Sequence, residues 1–285
     1  MAADNAVPAI EVMFQRSLAA HLPPKEFAKI QGASVLVAGM GAGSNISELL
    51  VRKGVGRLLI ADLDRYEPHN VRQRGSASST WGHGKVETMH ARLKDVNPHV
   101  NIVPIPEGIT EGNVERLVQD VQVVVDVLDH SVLTERIALH RAARKHGKVI
   151  LYVPTFVNGA GLYVFNPGGV SFEEFCGYTD GMQLPELLGR MLNRLVVRFP
   201  NEAPKEWYLA ALRGERTIPL DGVGYDQAAI LAVTAVENLL LGRLDRIVTV
   251  PRFIQVDLSD PTFLAQIVDC SKDFPGRAEF AGKVD

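Results

Sequence analysis

The sequence has little cysteine, no excess of one charge and no long hydrophobic run. Its two cysteines, Cys176 and Cys270, suit a reducing compartment, predict a cytoplasmic protein and are too few for a four-thiolate zinc site. The formal net charge is −3, so we expect no basic surface for nucleic acid or for a membrane. No apolar run reaches the ~18 residues of a membrane span, and the N-terminus lacks the pattern of a signal peptide.

What the sequence does contain is enough apolar material for one large core. Of its 285 residues, 46% are hydrophobic and 22% are charged, as in ordinary globular proteins. Between residues 34 and 153, short apolar runs alternate with segments of helical periodicity. Strands that are apolar on both faces and alternate with helices predict an α/β fold, with a Rossmann-like, mostly parallel sheet covered by helices on both faces.

The pattern divides the chain into parts with different expected roles. Residues 1–31 predict an N-terminal helical arm, residues 32–155 the nucleotide-binding Rossmann-like region, and residues 156–285 a substrate-facing region that completes the same domain. In that last part, C-terminal elements are expected to extend the sheet. They include strands over 161–166, 246–250 and 252–257, and helices over 184–198, 205–213 and 225–241.

A glycine-rich turn follows the first predicted strand. It contains Gly39, Gly41 and Gly43, and Ser44 or Asn45 could cap the helix that comes next. Glycine lets a phosphate approach the backbone closely, and a helix N-terminus supplies free N–H groups. The turn is therefore a candidate phosphate site, although a tight turn without any ligand has the same sequence.

Asp62 ends the second predicted strand, roughly 20 residues after the glycine turn. An acidic residue at that position accepts hydrogen bonds from a ribose in dinucleotide-binding folds. A plain turn aspartate is the structural alternative. Up to this point the sequence suits NAD and ATP equally well.

Several further segments carry a more specific pattern. Ala61–Arg74 has the sequence ADLDRYEPHNVRQR, Lys85–Glu87 is followed by RLKDVNPHV, and Val125–Asp129 has the sequence VDVLD. With Phe14–Ser17 (FQRS) and the helix over 225–241, they resemble in order and spacing the signature of the ThiF/MoeB/ubiquitin-activating enzyme family. This resemblance favours ATP over NAD.

The resemblance implies a set of roles around ATP. Asp62 would hold the ribose, Asn70 and Lys85 would contact the triphosphate, and Asp129 would hold Mg²⁺ between phosphates. Arg16 would reach the ATP of a partner subunit, which implies a homodimer. Each of these residues alone also has an ordinary structural explanation, such as a solvated lysine at a helix start or a turn asparagine.

The same segment contains further candidates and one departure from the family. Asp64 and Gln73 join the three glycines among the expected nucleotide-binding residues. The family has an arginine at the position of Gln73, and either Arg72 or Arg74 could supply that charge to catalysis. If neither reached the phosphates, catalysis would be slow or absent, and Gln73 is the feature that favours a non-catalytic partner subunit.

Zinc and thiol chemistry are less favoured by the sequence. The zinc-bearing members of the family carry two C-x-x-C pairs, which this chain lacks, so we expect no zinc. Cys176 lies in the segment FCGYTDG, where a loop could expose it and allow a covalent intermediate; an unreactive thiol is the alternative.

The function that the resemblance implies is adenylation of a carboxylate by ATP with release of pyrophosphate. The substrate would be the C-terminal tail of a small ubiquitin-like or sulfur-carrier protein, or a peptide or small acid. The alternatives are the non-catalytic partner subunit and an NAD-dependent oxidoreductase. Residues 178–222 match no part of the family pattern, and substrate choice is expected to reside there.

Overall fold

The centre of the molecule is a single twisted sheet. The computed structural model describes residues 7–182, 186–187, 189–190, 205–212, 215–261 and 264–269. Its strands are β1 Ser34–Ala38, β2 Arg57–Ala61, β3 Asn101–Ile105, β4 Val123–Asp126, β5 Val149–Tyr152, β6 Gly159–Phe165, β7 Arg252–Asp257 and β8 Leu264–Asp269. They form an eight-stranded sheet in the order β3-β2-β1-β4-β5-β6-β7-β8.

The helices surround this sheet. They are α1 Ile10–Met13, α2 Gln15–Leu18, α3 Pro24–Gln31, α4 Ala42–Lys53, α5 Lys85–Val96, α6 Val114–Gln119, α7 Leu133–Lys145, α8 Phe172–Cys176, α9 Lys205–Leu212 and α10 Gly222–Leu241. Short 3₁₀ turns cover Pro68–Asn70 and Leu244–Arg246. Within the described residues, the structure contains no helix with both the length and the hydropathy to cross a membrane.

The direction of pairing changes along the sheet. Strands β1 to β5 are parallel, whereas β6, β7 and β8 are antiparallel. The predicted fold class is confirmed, including the extension of the sheet by C-terminal elements. The antiparallel part contains β8, which the sequence analysis did not anticipate.

Alternation along β1 explains why both faces of the sheet are covered. Val35 and Val37 belong to a core cluster with α3, α4, α5 and α10. Leu36 and Ala38 belong to a second cluster with α6, α7 and α8. Successive side chains of a strand point to opposite faces, so a continuous apolar run requires helices on both sides.

Local sequence explains the ends of the helices next to the sheet. Gly54 ends α4 with a left-handed φ of 96°, which glycine adopts without steric cost. Asn97 ends α5 in an extended conformation, because the residue before a proline disfavours the helical region. Because the two helices end at these residues, the chain can turn and enter β2 after α4 and β3 after α5.

Some expected details are wrong, and one lies outside the described residues. Gly41 is the N-cap of α4 and makes no side-chain cap, so neither Ser44 nor Asn45 caps this helix. The strand expected over 246–250 is absent from the described residues there, where a 3₁₀ turn is followed by a single bridge at Thr249. Most of the helix expected over 184–198 lies outside the described residues.

Candidate functional site

The carboxyl ends of β1, β2 and β4 lie side by side at one edge of the sheet. Ala38 pairs in register with Ala61 on β2 and with Asp126 on β4. Gly39 and Asp62, the next residues on β1 and β2, are therefore neighbours. Because β2 and β4 flank β1 on opposite sides, the strand order reverses here, and such a point is where ligands bind in open α/β sheets.

The three glycines of the turn differ in how closely the protein packs against them. Gly39 has a φ of 97°, and a methyl group added there would lie 2.4 Å from the carbonyl oxygen of Val127. A methyl group on Gly43 would lie 3.1 Å from a side-chain carbon of Val127. Gly41 is different, because its φ is −63° and an added methyl group would meet its nearest neighbour, the Tyr225 hydroxyl oxygen, at 3.5 Å. Protein packing thus requires Gly39 and Gly43 but leaves Gly41 open.

Asp62 is fixed against the glycine turn. The Met40 N–H donates to its Oδ2 at 2.5 Å, and the Asp64 N–H donates to its Oδ1 at 2.8 Å. The side chain is 10% exposed. Burial raises the pKa of Asp62 above its ordinary value, and the attraction of Lys85 offsets only part of this effect.

Lys85 is the first residue of α5 and is buried at the same edge. Its Nζ lies 2.9 Å from Asp64 Oδ2 and 4.0 Å from Asp62 Oδ2. Its backbone N–H also donates to the Asp64 carbonyl oxygen at 2.9 Å. A buried ammonium needs a charged partner, and here the two carboxylates hold it beside the glycine turn.

Asn70 and Gln73 belong to the connection between β2 and α5. The Glu67 N–H donates to Asn70 Oδ1 at 2.9 Å, so the buried Asn70 stabilises its own 3₁₀ turn. Gln73 is 5% exposed, and its Nε2 would lie 4.0 Å from a methyl group on Gly41. Its Oε1 is buried and has no hydrogen-bond partner among the described residues.

Arg72 and Arg74 have different neighbours. The Arg72 guanidinium carbon lies 5.4 Å from the centre of the Tyr225 ring. Arg74 instead donates from Nη2 to Asp226 Oδ1 at 2.7 Å, and Asn45 Nδ2 donates to the same oxygen at 2.8 Å. Arg72 therefore adjoins the tyrosine that faces Gly41, whereas Arg74 ties α10 to the start of α4.

A buried charged group lies beneath the exit of β4. Asp126 Oδ2 accepts from Arg136 Nε at 2.9 Å and contacts His140 Nε2 at 3.0 Å. Burial favours the neutral acid, yet the charge of Arg136 and the hydrogen bond with His140 hold the pKa of Asp126 below its ordinary value. Arg136 also donates to the Leu128 carbonyl oxygen. This group was not predicted, because in the sequence Arg136 and His140 look like solvated residues of a helix.

Asp129 stands at the end of the same connection and is exposed. Its Oδ1 accepts from the Ser131 N–H at 3.0 Å and the Ser131 hydroxyl at 2.8 Å. His130 Nδ1 lies 3.0 Å from the same oxygen. The hydrogen bonds of His130 and Ser131 hold the pKa of Asp129 well below its ordinary value, so the carboxylate is charged at neutral pH.

A cavity of about 1000 Å³ opens beside Asp62, between the connection after β2 and helix α5. The connection over 75–84 forms one wall and is tied at its base, because the Tyr66 N–H donates to His83 and the Gly82 N–H donates to Tyr66. Charged and apolar residues line the cavity together: Asp62, Leu63, Asp64, Arg65, Arg74, Glu87, Arg92 and Pro106. The size and mixed lining suit a ligand as large as a nucleoside.

Two of the other predicted residues lie away from this edge. Arg16 is exposed on α2, and the structure of one chain does not bring it to the cluster. Cys176 is the last residue of α8 and is fully buried, so the expectation of an exposed loop is wrong: Phe172 and Phe175 pack this short helix into the core. Cys270 lies outside the described residues.

Comparison with known sequences identifies a family. A family model described as "ThiF family" matches residues 14–188. The chain belongs to the ThiF family. The match covers the glycine turn, the Asp62–Lys85 cluster and Asp129, but it ends before α10.

Among curated relatives, the sulfur carrier protein ThiS adenylyltransferase of Bacillus subtilis is 29% identical over 142 residues, 48% of this chain and 42% of that protein. The molybdopterin-synthase adenylyltransferase of Escherichia coli is 30% identical over 103 residues, 35% of this chain and 41% of that protein. The tRNA threonylcarbamoyladenosine dehydratase of B. subtilis is 38% identical over 89 residues, 30% and 35% respectively. The chain thus spans less than half the length of each of these relatives.

Solved structures extend the likeness of fold to nearly the whole chain. PaaA superposes with a TM-score of 0.68 at 16% identity, over 93% of this chain and 84% of that one. E. coli MccB with ATP superposes with a TM-score of 0.65 at 14% identity, over 88% and 67% respectively. At these identities the likeness establishes the fold only.

Proposed function

We propose that this protein adenylates a carboxylate: it binds ATP at the edge formed by β1, β2 and β4, and transfers AMP to the substrate with release of pyrophosphate. The observation that carries the proposal is the cluster of Asp62, Asp64 and Lys85 against the glycine turn. A dinucleotide site requires the turn and Asp62 but gives no reason to bury a lysine there. Relatives named as adenylyltransferases support the same activity.

The nucleotide would lie along the edge of the sheet. Asp62 would accept hydrogen bonds from the ribose, with the base in the cavity beside it. The phosphates would cross the open side of Gly41 toward Asp129, and Lys85 would move from Asp64 to a phosphate oxygen. The helix N-terminus of α4 adds its positive end to this path.

Magnesium is part of the proposal, and the residues fit it. Mg²⁺ often binds through one or two carboxylates together with substrate phosphates and water. Asp129 supplies one ionised carboxylate whose Oδ1 is already fixed by Ser131. The described residues contain no group of three side chains that would hold a metal without the nucleotide. When bound, the ion would neutralise the leaving pyrophosphate.

In this reaction the protein has to supply positive charge near the phosphates and does not have to supply a general base. A carboxylate oxygen of the substrate attacks the α-phosphorus, the bond from the α-phosphorus to the β-phosphate oxygen breaks, and pyrophosphate leaves. The nucleophile is already an anion, so no proton has to be removed. Lys85, which is preorganised in a buried site, would stabilise the negative charge that develops on the phosphates.

The substrate is proposed as the C-terminal tail of a small carrier protein, or a peptide. A relative named for a sulfur carrier supports the first, and MccB, which has been crystallised with MccA, supports the second. A relative is named for a tRNA nucleoside, but a net charge of −3 offers no basic footprint for RNA. A homodimer in which Arg16 reaches the partner's nucleotide, and a cytoplasmic location, are parts of the same proposal.

The experiment is a screen for pyrophosphate release with ATP and Mg²⁺. Separate reactions would contain peptides ending in Gly-Gly, other peptides with free C-termini, and tRNA. We expect release with a protein tail or a peptide. Lys85→Met should lower that release at least about a hundredfold. The control is Lys148→Met, at the residue that directly precedes β5, and it should leave the release unchanged.

A non-catalytic partner subunit is the second candidate, and Gln73 favours it because this position carries no charge. In that case ATP would bind without pyrophosphate release by the chain alone. Release would then appear only after a second family member was added, and Lys85→Met in this chain would not affect it.

A further inference from the structure

Helix α10 contributes a side chain to the glycine turn, although the family match ends before this helix. Tyr225 lies in the first turns of α10, is 4% exposed and places its hydroxyl 3.5 Å from where a methyl group on Gly41 would be. The start of α10 is held there because Gly224 touches the backbone after β5. A methyl group on it would lie 2.5 Å from the Phe156 carbonyl oxygen.

Two polar atoms next to Tyr225 are buried without a partner. Within the described part of the chain, Arg72 Nε and Gln73 Oε1 have no hydrogen-bond partner. Gln73 is 5% exposed, and its Nε2 would lie 4.0 Å from a methyl group on Gly41. The unpartnered Arg72 Nε is a donor and therefore suits an acceptor such as a phosphate oxygen. Gln73 turns its donor Nε2, and not the unpartnered Oε1, toward Gly41, so the donors of both residues are available to the same ligand.

We propose that Tyr225, Gln73 and Arg72 form an oxyanion site over Gly41, which extends the nucleotide site to α10. The Tyr225 hydroxyl and the Gln73 amide would donate to a phosphate oxygen. Arg72, resting on the Tyr225 ring, would supply the positive charge. The inference rests on the proposed function for one point only, namely that the oxyanion belongs to ATP.

The charges around this site favour an anion. Two acidic groups lie at the start of α10. Asp226 is paired with Arg74 and bonded to Asn45, and Asp221, the N-cap, accepts from the Val223 N–H at 2.9 Å. Arg72 has no ion pair within the described residues, and Nη1 donates only to the His69 carbonyl oxygen, at 2.6 Å. Its charge is thus left for a ligand, while Arg74 neutralises the neighbouring carboxylate.

The test measures the affinity of the whole chain for inorganic triphosphate and, separately, for ATP with Mg²⁺, by titration calorimetry. Tyr225→Phe keeps the ring beneath Arg72 and removes only the hydroxyl. We expect triphosphate to bind about tenfold more weakly to this variant, as is usual for one lost hydrogen bond to a charged group. Arg72→Met should weaken binding by at least as much, with an unchanged melting temperature.

Matched controls use residues outside the site. Tyr178→Phe alters a tyrosine that lines a different groove, and Arg144→Met alters an arginine that donates to the Gly169 carbonyl oxygen. Both should bind triphosphate like the unaltered protein.

The outcomes separate this inference from the proposed function. If triphosphate binds and Tyr225→Phe weakens that binding, but ATP does not bind, the adenylation proposal fails and the oxyanion site stands. If both ligands bind and Tyr225→Phe matches Tyr178→Phe, the inference is overturned and adenylation remains. If the unaltered protein binds no triphosphate, the inference is also overturned.

Discussion

A pair of acidic residues lies at the carboxyl end of each of two strands, Asp62 and Asp64 at β2 and Asp126 and Asp129 at β4. Burial and neighbouring charges shift the pKa of Asp62 and the pKa of Asp126 in opposite directions. Asp126 at the end of β4 is fully buried, and Arg136 and His140 hold its pKa below the ordinary value. Asp62 after β2 is more accessible, yet burial raises its pKa, and the charge of Lys85, whose Nζ lies 4.0 Å away, offsets only part of that effect. The charge of Asp126 is thus balanced within the protein, whereas the charge of Asp62 is balanced only in part.

From this difference we expect the Asp126 group to stabilise the fold and the Asp62 cluster to serve the proposed binding. The Asp126 group fixes the backbone of the connection that carries Asp129, through the donation of Arg136 to Leu128. The Asp62 cluster has an open cavity beside it.

The largest effect is expected at the β4 exit. Asp126→Asn leaves Arg136 buried without its counter-charge, and breaking a buried pair in this way costs about 3–5 kcal/mol. Urea unfolding should show this loss in the free energy of unfolding. A loss below about 1 kcal/mol would mean that the group does not stabilise the fold.

The next largest effect is expected from a comparison of two glycines of the turn, Gly39 and Gly41. Gly39→Ala should cost roughly 1–3 kcal/mol, because alanine disfavours a φ of 97° and its methyl group would meet the Val127 carbonyl oxygen. Gly41→Ala should change stability by less than about 1 kcal/mol, since ordinary contact is available there, but it should abolish ATP binding by filling the phosphate path. Equal behaviour of the two variants in unfolding and in nucleotide titration would contradict this division.

At the β2 exit a carboxylate is expected to matter for binding, and for folding only through its hydrogen bonds. In Asp62→Asn one amide oxygen replaces the two that accept the N–H groups of Met40 and Asp64, so one N–H loses its acceptor. A group whose pKa is raised by folding does not itself stabilise the fold in its ionised form. The free energy of unfolding should therefore fall by about 1–3 kcal/mol for the lost hydrogen bond, while ATP affinity falls about tenfold or more. Asp95→Asn, at an exposed carboxylate of α5, is the matched control for stability.

The smallest effect is a pH dependence at the β4 exit. Burial lowers the pKa of His140 below its ordinary value of 6.5, so the unfolded chain takes up a proton first as pH falls. Stability should therefore decline below pH ~6.5, by at most about 1.4 kcal/mol per pH unit. Asp126, whose pKa is also lowered, adds its own loss only in more acidic solution.

His140→Gln should remove the upper part of this decline, as measured by urea unfolding at a series of pH values. His21→Gln, at an exposed position, serves as the control. An identical slope in both variants would exclude His140 as its source.

The fold was largely predictable because periodicity determines it. The strands from β1 to β5 are apolar on both faces, and Gly54 and Asn97 mark helix ends that local conformation explains. The prediction of a strand over 246–250 is wrong, because a short apolar run does not specify which strand it pairs with. Among these residues only Thr249 forms a bridge. Strand β8 was missed because most of its side chains are exposed.

The site was predictable where its residues follow strands or begin helices close along the chain. Asp62, Asp64 and Lys85 are brought together by one connection. Tyr225 was not singled out, because it meets Gly41 only after the sheet has placed α10 beside α4. The loop expected at Cys176 is wrong because Gly177 ends a helix there, and the buried thiol fits the alternative of an unreactive cysteine.

The most direct test of the central claim is a thermal unfolding comparison of the purified chain with ATP and Mg²⁺ and, separately, with NAD. Ligand at about 100 times its dissociation constant stabilises a protein by about 2.7 kcal/mol. The account predicts a clear rise in melting temperature with ATP and Mg²⁺, none with NAD, and no rise with either in Gly41→Ala. A rise with NAD alone would contradict it.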